Sequence, residues 1–166
     1  MRLFLFLRYT MRMVTTLISD LSNVLLFSKD KTYTGKLNAL YKDKKQEEAF
    51  SFYNFYTFNQ ELLDYFKRLQ IEKHIFTSGL LQEDPAAQEV LTPVFESIIS
   101  GVDIKYDKSD ARAYSHIIGE LGKSPSEVIF VDDTAGNIVA ARSAGLNGVH
   151  YVNNAQVIQD IDTLLR

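Results

Sequence analysis

Asp20, Thr77 and the pair Asp132-Asp133 each close a short β-branched or apolar run, and Lys108 stands just ahead of a stretch with helical spacing. One lone carboxylate, one hydroxyl, one ammonium and a carboxylate pair match the demands of phosphoryl transfer, where positioning and charge neutralisation supply most of the catalysis. Asp20 would attack phosphorus and carry the group as an aspartyl phosphate. Two anions repel, so a cation must screen them. Mg²⁺ takes oxygen ligands in octahedral geometry, and Asp20, Ser22 and Asp133 form the candidate metal set, with a backbone carbonyl and waters among the ligands. Thr77 and the backbone N–H groups of Ser78 and Gly79 would hold the remaining phosphate oxygens, while Lys108 would neutralise them and orient Asp20. Asp132 and Asn137 are supporting residues. Asn137 lies four positions after Asp133, where its amide can brace the metal-binding loop.

These residues can meet only if they stand at the carboxyl ends of strands in one parallel sheet, where the loops converge on a crevice. The pattern provides such strands. Residues 15–20 read as a first strand ending on a carboxylate, and 73–77 as a second, followed by Ser78-Gly79 where the chain must turn. Residues 97–100 and 127–131 read as two more, and 148–152 as the last. Between them, 59–69 places Leu62, Leu63, Phe66 and Leu69 on one helical face behind Asn59 as cap. Asp84-Pro85 is a cap and N1 proline opening a helix to about residue 94. Residues 109–121 form a helix stopped by Gly122. Residues 135–144 and 154–165 are the closing helices. Strands alternating with helices predict an α/β fold, a parallel sheet covered on both faces.

Residues 31–58 break the alternation. A Lys/Glu-rich run, 42–48, leads into Phe50, Phe52, Tyr53, Phe55, Tyr56 and Phe58. This is read as a small insertion over the active edge of the sheet, its charge run a solvated helix face and its aromatics packing against the core. The predicted organisation is a core of 13–30 and 59–166, a cap insertion of 31–58 and an N-terminal extension of 1–12.

At 166 residues the chain is one domain in size, with 46% apolar residues to build its core. A net charge of -3 gives no electrostatic reason to expect nucleic acid or an anionic membrane as partner. Cysteine is absent, which removes disulfides, thiolate nucleophiles and cysteine-based zinc sites. His74, His116 and His150 are widely separated and are assigned no metal. The opening run from Met1 to Arg8 is short for a signal-peptide core and far short of a membrane span, which favours a cytoplasmic location.

Asp20-Leu-Ser-Asn-Val24, Thr77-Ser-Gly79, Lys108-Ser-Asp110 and Val131-Asp-Asp-Thr-Ala-Gly-Asn137, followed by Ala140-Ala141 and Gly145, resemble the four ordered motifs of the haloacid dehalogenase-like hydrolase superfamily. The resemblance spans about residues 15–152. It implies a Rossmann-like core, a small helical cap inserted after the first strand, and Mg²⁺. In the family a second aspartate two residues after the nucleophile usually serves as general acid and base; here that position is Ser22. A branch reading Asp-x-Gly-Asn-Val includes sugar-phosphate phosphatases, and Ser22-Asn23-Val24 is closest to it. The resemblance therefore implies a phosphatase of small phosphorylated metabolites, slowed by Ser22. Two other readings stand beside it: a haloacid dehalogenase, which by family pattern needs an aromatic at position 22 and no metal, and a non-catalytic binding protein on the same fold. A compact lid suits a larger substrate or closure of the site by a second copy of the chain through the cap.

Overall fold

The computed structural model describes residues 13–166; the extension expected over 1–12 lies outside the described residues. In chain order the elements are β1 (Thr16–Ser19), β2 (Leu26–Ser28), α1 (Leu37–Lys44), α2 (Phe52–Phe55), β3 (Tyr56–Phe58), α3 (Gln60–Arg68), β4 (Glu72–Thr77), α4 (Pro85–Leu91), β5 (Ser97–Ser100), α5 (Ala111–Glu120), β6 (Val128–Asp132), α6 (Ala135–Ser143), β7 (Asn147–His150) and α7 (Asn154–Leu164), with single 3₁₀ turns at Leu81–Glu83 and Pro125–Glu127. No described helix is long and apolar enough to cross a membrane.

Five strands form one parallel sheet in the order β5-β4-β1-β6-β7. The order reverses on either side of β1, which puts a switch point at its carboxyl end. Period-two alternation gives the sheet two apolar faces. Leu17, Ile75, Ile129 and Val131 point to one and pack with Leu62, Leu63 and Phe66 of α3, Ala87 and Leu91 of α4, and Val157 and Ile161 of α7. Ile18, Phe76, Val128 and Phe130 point to the other, against Ala113, Tyr114, Ile117 and Ile118 of α5 and Ile138, Ala140 and Ala141 of α6. The sheet is thus Rossmann-like, with helices on both faces.

Two expected boundaries move. The helix opened by Asp84-Pro85 ends at Leu91 rather than near residue 94, because Pro93 has no N–H with which to continue the ladder. The last strand occupies Asn147–His150 rather than 148–152; the Val152 N–H instead donates to Gln156 Oε1 at the start of α7.

Within 31–58 the chain builds α1, α2 and β3. β3 pairs antiparallel with β2, Leu26 opposite Phe58, in a ribbon that no alternation in the sequence announces. The charge run is helical only to Lys44; 45–49 form turns, with Lys44 Nζ on Glu47 Oε1 at 2.7 Å. Phe52 and Tyr56 are buried with ring centroids 4.8 Å apart, and Phe50 stacks on Phe55 at 5.8 Å, so most of these rings are consumed in packing.

Asn59 ties three parts of the fold together. Its side chain caps α3, its Nδ2 donates to the Val24 carbonyl (2.9 Å) and to Asn154 Oδ1 (2.7 Å), and Asn154 Nδ2 donates back to Asn59 Oδ1 at 2.9 Å. Loss of a cap and of partly buried amide bonds predicts that Asn59→Ala lowers unfolding free energy by about 2 kcal/mol. Urea denaturation would check this; a change within measurement error would show that the amide pair is replaceable by water.

Candidate active site

β1 delivers its following residue, Asp20, to the edge of the sheet. The Asp20 N–H donates to the Val131 carbonyl at 2.8 Å, so this residue still lies alongside β6, and its side chain is nearly buried. β6 ends on Asp132, which is fully buried, and the next residue, Asp133, is half-buried at the mouth. Carboxylate oxygens of Asp20, Asp132 and Asp133 all lie within 4.8 Å of one another.

Lys108 holds this cluster together. Its Nζ donates to Asp20 Oδ1 at 2.6 Å and to Asp132 Oδ2 at 3.2 Å. The ammonium also lies 4.9 Å from the Phe76 ring centroid and 5.9 Å from that of Phe130, faces that favour a cation. Tyr114 of α5 fixes the segment from below, its hydroxyl donating to the Lys108 carbonyl at 2.7 Å.

The two adjacent aspartates differ in what they can still bind. Asp132 Oδ1 accepts from the Thr134 N–H (2.8 Å) and Asn137 Nδ2 (3.1 Å), and Oδ2 from Lys108 and again from Asn137 Nδ2 at 3.1 Å. Asp132 is therefore a saturated anchor, with Asn137 as its brace. Asp133 has a 3.4 Å contact from Thr134 Oγ1 and support from the Asn23 side chain and its own backbone N–H, and forms none of the ion pairs among the described residues. Burial raises the Asp133 carboxyl above its ordinary range and Asp132 pushes it further, with Asn23 and Thr134 opposing. Burial likewise lifts Asp20 to about 6 against the attraction of Lys108, with Asp132 adding to the rise.

Asp20, Ser22, Thr77, Ser78, Lys108, Asp133 and Asn137 line one cavity of about 320 Å³, so the structure brings these expected residues together. Asp132 lies beneath it as part of the carboxylate cluster. Gly79 is not among the lining residues. It is buried, and a Cβ there would sit 1.9 Å from Asn38 Oδ1, so the open side of this glycine is filled by a side chain from α1. The oxygen-only donor set fits a hard divalent cation. With Asp132 saturated, Asp20 and Asp133 are the carboxylates left to hold it, and Ser22 lies in the same cavity.

The sequence does not single out the start of α1 as part of the site. Lys36, Leu37 and Asn38, at the start of α1, complete the cavity wall. Asn23 adopts φ 58°, a left-handed conformation that asparagine tolerates, and so turns the chain back after Asp20. His150 Nε2 lies 2.8 Å from the Asp133 carbonyl oxygen, on the loop that carries the carboxylate pair. His74 is buried against Ser97 Oγ (2.8 Å), and His116 is exposed on α5; neither reaches the cluster.

Three comparisons with known proteins bear on this geometry. A family model described as haloacid dehalogenase-like hydrolase matches residues 51–145. Among curated proteins, a sesquiterpene phosphatase of Aspergillus oryzae is 29% identical over 72 residues, covering 43% of this chain and 35% of that protein. A flavin mononucleotide hydrolase of Arabidopsis thaliana is 28% identical over 110 residues, covering 63% of this chain and 43% of the relative. The chain thus spans less than half the length of these two relatives. Among solved structures, a HAD-like family hydrolase from Porphyromonas gingivalis superposes with a TM-score of 0.64 over 93% of this chain and 98% of its own, at 16% identity, a likeness of fold.

The raised Asp20 carboxyl fixes a pH dependence. Its folded value of about 6 exceeds the ordinary 3.8, so its contribution to stability is fully present below the ordinary value and is lost as the pH rises through about 6. Asp20→Asn, which keeps the position neutral, should therefore stabilise the metal-free protein more at pH 7.5 than at pH 5, by roughly 1–3 kcal/mol. Urea unfolding of both proteins at the two pH values would check it, and an equal effect at both would count against the raised value.

Proposed function

We propose that this chain, which belongs to the haloacid dehalogenase-like hydrolase family, is a Mg²⁺-dependent phosphohydrolase of small phosphorylated metabolites that works through an aspartyl phosphate on Asp20. The observation that carries the reading is the meeting of Asp20 and Asp133, from adjacent strand tips, in one cavity with Lys108 bound to the nucleophile. The phosphatases among its relatives support it.

Lys108 pins Asp20 Oδ1 at 2.6 Å and the Leu21 N–H also bonds the carboxyl, so the side chain is held in place with Oδ2 as the oxygen that Lys108 does not engage. Oδ2 attacks phosphorus and forms a P–O bond as the ester bond to the leaving oxygen breaks. Thr77, Ser78 and Lys108 then hold the equatorial oxygens. Water next attacks phosphorus, the bond to Asp20 breaks, and inorganic phosphate leaves with the carboxylate restored. Asp20 and Asp133 would hold Mg²⁺, with Ser22 contributing through its backbone; the ion supplies the positive charge that lets a carboxylate approach a phosphate dianion.

Both steps move a proton, and the residues lining the cavity include no further carboxylate and no histidine to carry it. Ser22 holds the position of the usual acid and base, and its hydroxyl barely ionises near neutrality. Asp30 does not substitute: it is exposed, outside this cavity, and its Oδ1 is taken by the Thr32 N–H (2.9 Å) and hydroxyl (2.6 Å). Slow chemistry on poor leaving groups follows. The dehalogenase reading lacks an aromatic at position 22 and leaves Asp133 without a task.

Hydrolysis of p-nitrophenyl, acyl, anomeric and alkyl phosphates with and without Mg²⁺ tests the proposal. EDTA should abolish activity, and Asp20→Asn should lower kcat by at least roughly 10³-fold. Ser22→Asp should raise kcat on alkyl phosphates by about 10²-fold and on acyl phosphates much less. Activity that survives both EDTA and Asp20→Asn would sink the reading. A uniform response to Ser22→Asp across leaving groups would sink the account of position 22.

A further inference from the structure

One wall of the cavity is not used by the chemistry above. It is the first turn of α1, from which Lys36, Leu37 and Asn38 face the same space as Asp20 and Lys108. Asn38 is clamped there: its Oδ1 accepts from the backbone N–H groups of Leu80 (3.0 Å) and Leu81 (3.2 Å), and its carboxamide lies against Gly79. Both contacts engage the oxygen, which fixes the amide plane and leaves Nδ2 as a donor with no described partner. Lys36, two residues earlier, is exposed and forms none of the ion pairs among the described residues. Lys108, by contrast, is committed to Asp20 and Asp132.

Direction decides what this wall can touch. In an in-line displacement the leaving oxygen departs on the side of phosphorus opposite the nucleophile. Asp20 attacks from the tip of β1, so the leaving group points away from the sheet, towards the insertion that bears Lys36 and Asn38. Lys36 is thus an uncommitted cation on the path of the leaving group, with the clamped Asn38 amide beside it in the cavity wall. We infer that Lys36, assisted by Asn38, selects phosphate monoesters whose leaving group carries a second acidic group, a carboxylate or another phosphate. The inference rests on the phosphohydrolase reading and names the substrate class of that same site.

A matched pair of esters tests it. Glycerate 3-phosphate and glycerol 3-phosphate differ in a carboxylate against a hydroxymethyl group. The wild type should favour the former in kcat/KM by about tenfold. Lys36→Ala should bring the ratio near parity through KM, and Lys36→Arg should restore it. Lys42→Ala, on the same helix but outside the cavity, should keep the wild-type ratio, and about 0.5 M NaCl should shrink it. Calorimetry on Asp20→Asn, in which turnover should be too slow to interfere, should show the same preference in binding, lost when Lys36→Ala is added. Equal ratios in wild type and Lys36→Ala, or equal loss on both esters, overturn the inference and leave the phosphohydrolase standing. Neither hydrolysis nor binding of any phosphate ester overturns both.

Discussion

One oxygen from each of three carboxylates lies within 4.8 Å of the other two, and the cluster holds together because a single ammonium is threaded between Asp20 and Asp132. At 4.8 Å, the bound within which these oxygens lie, two unit charges repel by roughly 3 kcal/mol at an effective dielectric of about 20. Lys108 offsets this by bonding Asp20 and Asp132 together, and two aromatic faces beneath it make the position favourable for a cation. The offset is partial: burial lifts the Asp20 carboxyl to about 6 and raises that of Asp133, and Asp132 adds to both. Carboxylates drawn out of water and crowded together in this way favour added positive charge.

The geometry is a consequence of strand register. Ser19 pairs with Val131 on one side of β1 and with Ile75 on the other. The residues that follow are therefore brought level: Asp20 beside Asp132, with Thr77 two positions beyond Ile75. A slip of one residue in either pairing would turn these side chains to the opposite face. The insertion is fastened to the same edge. Asn38 binds the backbone after Thr77, and Tyr41, one turn further along α1, donates its hydroxyl to Asp84 Oδ2 at 2.9 Å, on the residue that caps α4. The wall over the crevice and the loop beneath it are thus positioned by one helix.

The core could be read from the sequence because its signals are local. Strand-closing carboxylates, Asn59 and Asp84 as caps and the apolar faces of α3 and α5 each depend on residues within one or two turns, and that is why the sequence places Asp20, Thr77, Lys108 and Asp133 around one sheet edge. The pairing of β2 with β3 was illegible because strands of three residues hold too little alternation to register. Asn38 was illegible for a different reason: its meaning lies in Leu80 and Leu81, more than forty positions away. The same distance hid the filling of Gly79, whose lack of a side chain reads locally as a turn and serves as a socket for Asn38.

Serine at position 22 bears on binding as much as on catalysis. A carboxylate there would donate and accept protons, but it would also add a negative charge to a cavity already lined by Asp20 and Asp133 with Asp132 beneath, which on the proposed reading must receive a phosphate. Its repulsion of the ligand would act before any chemistry and would have to be offset by the metal or by Lys36. With serine in that place, the field at the mouth is less negative; on the proposed reading an anion would be held more firmly while its phosphoryl group would be passed to water more slowly. Charge and proton transfer are thus set against each other at one residue. A leaving group that needs no proton would avoid the cost of this exchange and keep its benefit, so the proposed phosphohydrolase would be best suited to such esters.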